Sequence, residues 1–197
     1  MKKSICLTFV LLFVCSCAMT KVTSFKDPVY AKSNYTKVAV FYDRDQLEGR
    51  QKVERAFTRM ISEQGTTAIA MIDIIPPTRS FTQEEFKKEV VSNGCDCVLQ
   101  IKFTGAYADT IQTGGSMFTT FSRRNAWSFY SPGETIVLPR VQRKAELIDV
   151  DSGKVVWTSD SLTAGNAYAS VDVMNESFTS SVIKKLQEDG LITKKKE

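Results

Sequence analysis

Ala145-Glu-Leu-Ile-Asp-Val-Asp-Ser-Gly-Lys-Val-Val-Trp157 decides the fold. From Val141 to Val150 polar and apolar residues alternate, the two-residue period of a strand with one buried face. Asp151-Ser-Gly-Lys154 supplies the residue types of a tight turn, and Val155-Val-Trp157 opens a second strand. The stretch therefore predicts an antiparallel hairpin, with Trp157 as a core aromatic.

The periods on the amino-terminal side say what packs against it. Lys37-Val-Ala-Val-Phe-Tyr42 is a short apolar run of β-formers and reads as a buried strand. From Gln46 to Gln64 the period turns helical. Val53, Ala56, Phe57, Met60 and Ile61 share a face, Arg and Glu residues take the opposite one, and Gly65 ends the helix. Thr67 to Ile72 is a second strand, and Pro76-Pro77 breaks the chain. Thr82-Gln-Glu-Glu85 has the sequence of a capping box, with Phe81 and Phe86 placed as its hydrophobic staple. That helix runs to Ser92, and Cys95 to Thr104 is a third strand. A last helix starts near Ser170 with Val171, Met174, Phe178, Val182 and Leu186 as its stripe, and ends before Gly190. The predicted class is α/β (α+β): one domain over residues 36–192, a mixed five-stranded sheet covered by about three helices. Residues 193–197 read as a frayed tail.

The start of the chain has a different logic. Lys2 and Lys3 precede an uncharged apolar run from Ile5 to Cys15. That run is about half of the ~20 residues that span a bilayer, and its layout is that of a signal peptide. Val14-Cys15-Ser16-Cys17 resembles the lipobox of bacterial lipoproteins. The resemblance implies that residues 1–16 are cut away and that Cys17 carries a thioether-linked diacylglycerol and an N-acyl chain. Two chains anchor a protein stably where one does not. Ala18 stands where an aspartate would favour inner-membrane retention. The implied place is therefore the outer membrane, lipid-anchored, with the domain facing the periplasm. Residues 17–35 are polar and without period, and read as a lipidated tether of at most ~60 Å when fully extended.

Composition narrows the chemistry. Net charge falls from +4 to +2 once Lys2 and Lys3 leave, without the basic face of a nucleic-acid binder. The chain has 0 histidines, which removes Ser-His-Asp and Cys-His nucleophiles and most zinc sites. Cys95 and Cys97 sit two apart on one face of a predicted strand. A disulfide at that spacing would be strained, so two buried thiols are expected. Asp149, Asp151 and Gly153 miss the EF-hand pattern, because the glycine falls at the fifth position instead of the sixth. Gly114-Gly115 lacks the Gly-Lys-Ser/Thr of a phosphate loop. Glu84-Glu85 belong to a first helical turn, where negative charge is favourable in any case. No catalytic residue, metal or cofactor is expected, and the chain reads as a non-enzyme.

Residues 109–140 are the informative exception to an otherwise ordinary domain. Connections beyond ~12–15 residues are uncommon unless functional or disordered, and this one is too aromatic for disorder. Phe118, Phe121, Trp127, Phe129 and Tyr130 stand beside Arg123 and Arg124, residue types enriched at binding hot spots. Two readings stand side by side. The segment is a partner-binding or membrane-touching hairpin turning near Arg123-Arg124, or a hairpin that folds back and extends or covers its own sheet, and both can hold at once.

Three stretches together resemble one family of envelope lipoprotein domains. These are Lys37-Val-Ala-Val-Phe-Tyr42 leading into a helix, Asn93-Gly-Cys-Asp-Cys-Val-Leu99 entering a strand, and the hairpin 145–157. The family includes the amino-terminal domain of TolB, the curli secretion lipoprotein CsgG and the outer-membrane activator of a peptidoglycan synthase. The resemblance covers residues 36–190 in order of elements and implies a fold and a cellular neighbourhood, with no catalytic residue carried over. It departs in two ways: the tether is shorter than the synthase activator's linker, and only one segment could serve as a curli-type membrane hairpin. The function expected is an outer-membrane-anchored accessory factor that binds an envelope protein partner and helps a complex assemble. The alternative is a homo-oligomeric subunit of a CsgG-like secretion channel.

Overall fold

The hairpin forms as its residues dictate. In the computed structural model, which describes residues 17–30, 34–44, 46–121 and 126–194, the Asp149 amide donates to the Lys154 carbonyl (2.9 Å) and the Gly153 amide to the Asp149 carbonyl (2.8 Å). Gly153 closes the turn at φ +68°, the left-handed region where a side chain is disfavoured. The Asp149 carboxylate locks it by accepting from the Ser152 amide and hydroxyl and from Tyr35.

Along the chain run β1 (Ala18–Lys26), β2 (Lys37–Asp43), α1 (Leu47–Glu63), β3 (Thr67–Ala70), the one-turn α2 (Met71–Ile74), α3 (Gln83–Ser92), β4 (Cys97–Gln112), β5 (Ser116–Phe121), β6 (Ala126–Ser131), β7 (Thr135–Asp149), β8 (Val155–Gly165) and α4 (Val171–Glu188). Six strands make one sheet in the order β1-β8-β7-β4-β2-β3, and β5 and β6 pair separately. β2 runs parallel to β3 and β4, and the other pairs are antiparallel. The mixed α/β class holds, with a sixth strand added to the five expected.

Strand alternation divides the core into two layers. Val38, Val40, Leu99, Ile101, Leu147 and Trp157 face α1 and α4, where the Phe57 and Phe178 rings meet edge to face at 5.5 Å. Ala39, Val98 and Val150 face the other way, onto Met71, Ile75 and Val90 of the α2–α3 region. The α3 capping box is present: Thr82 Oγ1 accepts from the Glu85 amide, and Glu85 Oε2 accepts from the Thr82 amide at 2.8 Å.

The strand expected over Thr67 to Ile72 ends at Ala70, and expectations at both ends of the domain give way. The segment read as a tether is strand β1, in register with β8 from Ala18↔Gly165 to Lys26↔Trp157. Of its inward positions, Ala18 and Val22 are apolar, with Val22 packed on the core, while Thr20, Ser24 and Lys26 are polar and bonded. Thr20 Oγ1 meets Thr163 and Ser177 hydroxyls at 2.9 Å each, Ser24 Oγ donates to Asp189 Oδ2 at 2.8 Å, and Lys26 Nζ donates to the Asp189 carbonyl at 2.8 Å. Met19 and Phe25 point outward, 75 % and 65 % exposed. With polar residues at three of its five inward positions and Met19 and Phe25 outward, the strand shows no apolar period. At the other end Thr193, assigned to the tail, is tied to Thr66 by its amide at 2.9 Å.

Glu54, one position off the apolar stripe of α1, is fully buried. Its carboxylate accepts from the Tyr42 amide (3.0 Å), the Ile72 amide (2.7 Å) and Arg50 Nε (2.8 Å), joining β2, α1 and α2. Replacing it strands two backbone donors and a half-buried guanidinium. In urea unfolding of the unlipidated Cys17→Ser chain, Glu54→Ala is expected to lose about 3 kcal/mol. Arg59→Ala, on the exposed face of the same helix, is expected to lose under about 0.5 kcal/mol.

Candidate functional site

The long pair β4–β7 outgrows the sheet that holds it. β2 accompanies β4 only as far as Asp43↔Lys102, and β8 accompanies β7 only as far as Ala164↔Arg140. Between Phe103 and Gly105 a bulge shifts the register, the kind of irregularity that re-aims a strand as it leaves a sheet. From Ala108↔Pro139 to Gln112↔Thr135 the two strands continue as a ribbon, with no further strand on either edge among the described residues.

The ribbon's base is fastened. Arg140 Nε pairs with Asp109 at 2.8 Å across the two strands, and Arg140 Nη1 donates to the Gly165 carbonyl at 3.2 Å. Just below, Arg143 is buried with its guanidinium 4.7 Å over the Phe178 ring and donates to Asn175 Oδ1 on α4. Burial pushes the Arg143 pKa down from its ordinary value.

Above its base the ribbon exposes apolar side chains on both faces. Tyr107 and Ile111 share one face with Ile136 and Leu138, while Val137 lies on the other. Tyr107 is 48 %, Ile111 50 % and Val137 53 % exposed. A joint follows, where the Thr113 amide and hydroxyl both donate to the Glu134 carbonyl (3.0 and 2.9 Å). A Cβ at position 133 would fall 1.6 Å from the Thr113 carbonyl oxygen, so only glycine allows this approach. Beyond it β5 and β6 pair with Phe118↔Phe129, Thr120↔Trp127 and Met117↔Tyr130 in register.

The sequence-selected residues thus fall in one hairpin. Phe118 and Phe121 are on β5, and Trp127, Phe129 and Tyr130 are on β6, while Arg123 and Arg124 lie outside the described residues. At the base of this segment β4 and β7 extend the sheet itself, and Tyr107, Ile111 and Val137 are left about half exposed there. Those three residues were not singled out by sequence. Of the three, only Ile111 lies in a stretch that a sequence signal marks, the charge-free run between Asp109 and Arg123.

Cys17 precedes β1 directly. It is exposed, and its carbonyl accepts from the Asn166 amide at 3.3 Å. Cys95 and Cys97 are buried free thiols, but not on one face as expected. β4 begins only at Cys97, so strand alternation does not reach Cys95, and the two enter opposite core layers. Burial raises both thiol pKa values, that of Cys97 well above the ordinary range, which suppresses the reactive thiolate. On the second face a groove of ≈ 560 Å³ opens between α3 and the sheet, lined by Phe41, Phe86, Val90, Val98 and Ile148. Among the described residues no group of three or more Cys, Asp and Glu is placed to hold a metal ion. No described helix is long and apolar enough to cross a membrane.

No protein-family model matches the sequence, and no match is found among curated proteins. Similarity appears in three dimensions. The PelC dodecamer from Paraburkholderia phytofirmans aligns at TM-score 0.52 and 18 % identity, over 88 % of this chain and 99 % of that one. A point variant of that dodecamer aligns at TM-score 0.53 and 18 % identity, over 86 % of this chain and 99 % of that one. The lipoprotein GNA1162 from Neisseria meningitidis aligns at TM-score 0.41 and 16 % identity, over 78 % of this chain and 99 % of that one. The fold is of the PelC kind, and neither TolB nor CsgG is among these structures.

The joint gives a direct expectation. Gly133→Ala should loosen the ribbon above Thr113 and leave the sheet intact. Limited proteolysis is expected to cut Gly133→Ala within residues 113–134 several-fold faster than the parent chain, with an unchanged thermal midpoint for the domain.

Proposed function

We propose that this chain is a lipid-anchored, non-catalytic protein of the outer membrane, held there through Cys17 with its domain in the periplasm. In this reading it works as an assembly factor whose contact surface is the β4–β7 ribbon with its β5–β6 extension. The observation that carries it is the open ribbon: Tyr107, Ile111 and Val137 remain about half exposed on its two faces. A lone two-stranded ribbon is at best marginally stable in water, so a covering surface is expected in the working state. Contact with a partner supplies one, and it asks nothing of catalytic side chains.

A second reading has its own support. The PelC structures similar to this chain are dodecamers, and beyond Arg140 and Lys102 no further strand lies on either edge of the ribbon among the described residues. Free edges are templates for pairing with another copy. Repeated head to tail, such contacts close into a ring, the arrangement of a channel subunit.

In-cell photocrosslinking from position 111, with Ile111 replaced by a photoreactive residue, separates the two. The assembly-factor reading expects one heavier adduct, absent when the same residue is placed at Arg59 on α1. A ladder of self-adducts favours the ring. A folded, membrane-associated protein giving no adduct at position 111 would falsify the ribbon as a contact surface.

A further inference from the structure

Strand β1 ends the six-stranded sheet, and no strand lies on its other edge among the described residues. It pairs with β8 over nine residues, with no bulge and no proline. A long regular edge of this kind is a template for pairing with another chain. The bonding pattern fixes which groups face that edge. The Cys17 carbonyl accepts from the Asn166 amide, and the Asp27 amide donates to the Val156 carbonyl, so the odd-numbered positions bond β8. Thr20, Val22 and Ser24 therefore turn their backbone N–H and C=O toward the open edge. Met19, Lys21, Thr23 and Phe25 stand exposed on the face of the sheet away from α4.

We infer that β1 is a dimer interface, pairing antiparallel with β1 of a second copy about a twofold axis at Val22. In that register the strand is complementary to itself. Met19 falls opposite the second copy's Phe25, Thr20 opposite its Ser24, Lys21 opposite its Thr23, Val22 opposite its Val22, and Lys26 opposite its Ala18. Met19 and Phe25, 75 % and 65 % exposed in one chain, cover each other on both sides of the axis. Their pair is of the non-hydrogen-bonded kind, whose Cα atoms approach to about 4.5 Å and whose side chains lie closest. The hydrogen-bonded rows fall on Thr20, Val22 and Ser24, the residues whose backbone groups face the edge. Charge agrees. The second copy's Lys21 lies over Thr23, and beyond Thr23 in the same row is Asp160 of β8, within reach of a long lysine stem. Neighbouring registers lose these matches. A slip of one residue sets bonded rows against unbonded ones and reverses the faces. Sliding the pairing by one row sets Lys21 against Lys21 in one direction, and Lys21 against Phe25 in the other. On the helix side, Ser177, which bonds Thr20, and Ser181, one turn on, are small and leave room for the second copy's α4. The dimer goes beyond the ribbon contact and does not compete with it, since β7 is two strands from β1 and β4 is three.

The test uses the chain from residue 17 onward with Cys17→Ser, carrying Met19→Cys and Phe25→Cys. Within one chain these positions are about 20 Å apart at ~3.4 Å per residue, so only a second copy can join them. Cys95 and Cys97 are buried. Mild oxidation is expected to give a covalent dimer whose digest links the residue-19 peptide to the residue-25 peptide. The pair Met19→Cys and Thr23→Cys, one row out of register, is expected to give several-fold less. Sedimentation of the chain without the added cysteines is expected to show a concentration-dependent dimer. Thr23→Lys sets a lysine against the second copy's Lys21 on an exposed face, and is expected to weaken that dimer about ten-fold with an unchanged thermal midpoint. A chain that stays monomeric at every concentration overturns the inference. So does a dimer that ignores Thr23→Lys and forms no link between positions 19 and 25.

Discussion

Asp189, the residue that caps α4, joins three parts of the molecule that are distant in sequence. One carboxylate oxygen accepts from Trp157 Nε1 at 2.7 Å and from Ser24 Oγ at 2.8 Å, and the backbone carbonyl accepts from Lys26 Nζ at 2.8 Å. Lys185, a turn earlier, stands 3.5 Å from the other oxygen. This knot fixes the end of β1 against the hairpin strand β8 and the closing helix. Buried or half-buried polar groups are costly when unpaired, so their mutual satisfaction makes the docked position of β1 specific. The placement of Cys17 at one end of the sheet, and the absence of a flexible stretch between Cys17 and the first strand, follow from it.

The same economy of polar bonds appears elsewhere in the core. Asp96, in the Asn93-Gly-Cys-Asp stretch, accepts from the Thr36 amide and hydroxyl and from the Lys37 amide, which fixes the entry of β2 beside β4. That bonding is the physical content of the sequence resemblance at this point. Glu54 does the corresponding task at the exit of β2, on the Tyr42 amide. The parallel side of the sheet, β4-β2-β3, is thus held at both ends of β2 by carboxylates, while the antiparallel side carries the ribbon and the N-terminal strand. The two halves divide the labour: one is a clamped core, the other presents surface.

Local periodicity made the clamped core legible. The alternation of 141–150, the turn 151–154, the capping box at Thr82 and the stripes of α1 and α4 each depend on residues near one another in sequence, and each is found. What escaped depends on distant partners. β1 hides its polar side against Thr163, Ser177 and Asp189, so its pattern is that of a tether until those partners are known. Glu54 is charged, and the Tyr42 and Ile72 amides, with Arg50, explain its burial. Cys95 and Cys97 separate because a strand begins between them. The aromatic hairpin was visible as an unusual segment. Its base was not, because Tyr107, Ile111 and Val137 look like ordinary strand residues. The strands on either side stop alongside Lys102 and Arg140 for reasons of topology.

The docking of β1 is the point from which the rest is reached, and amide hydrogen exchange on the chain from Cys17 onward measures it directly. Alternate amides of residues 18–26, those bonded to β8, are expected to exchange as slowly as the amides of β8 itself. Uniformly fast exchange across 18–26, at the rate of an unstructured peptide while β8 stays protected, would contradict it. The segment would then be a free tether, and the place of Cys17 beside the base of the ribbon would not be fixed by the fold.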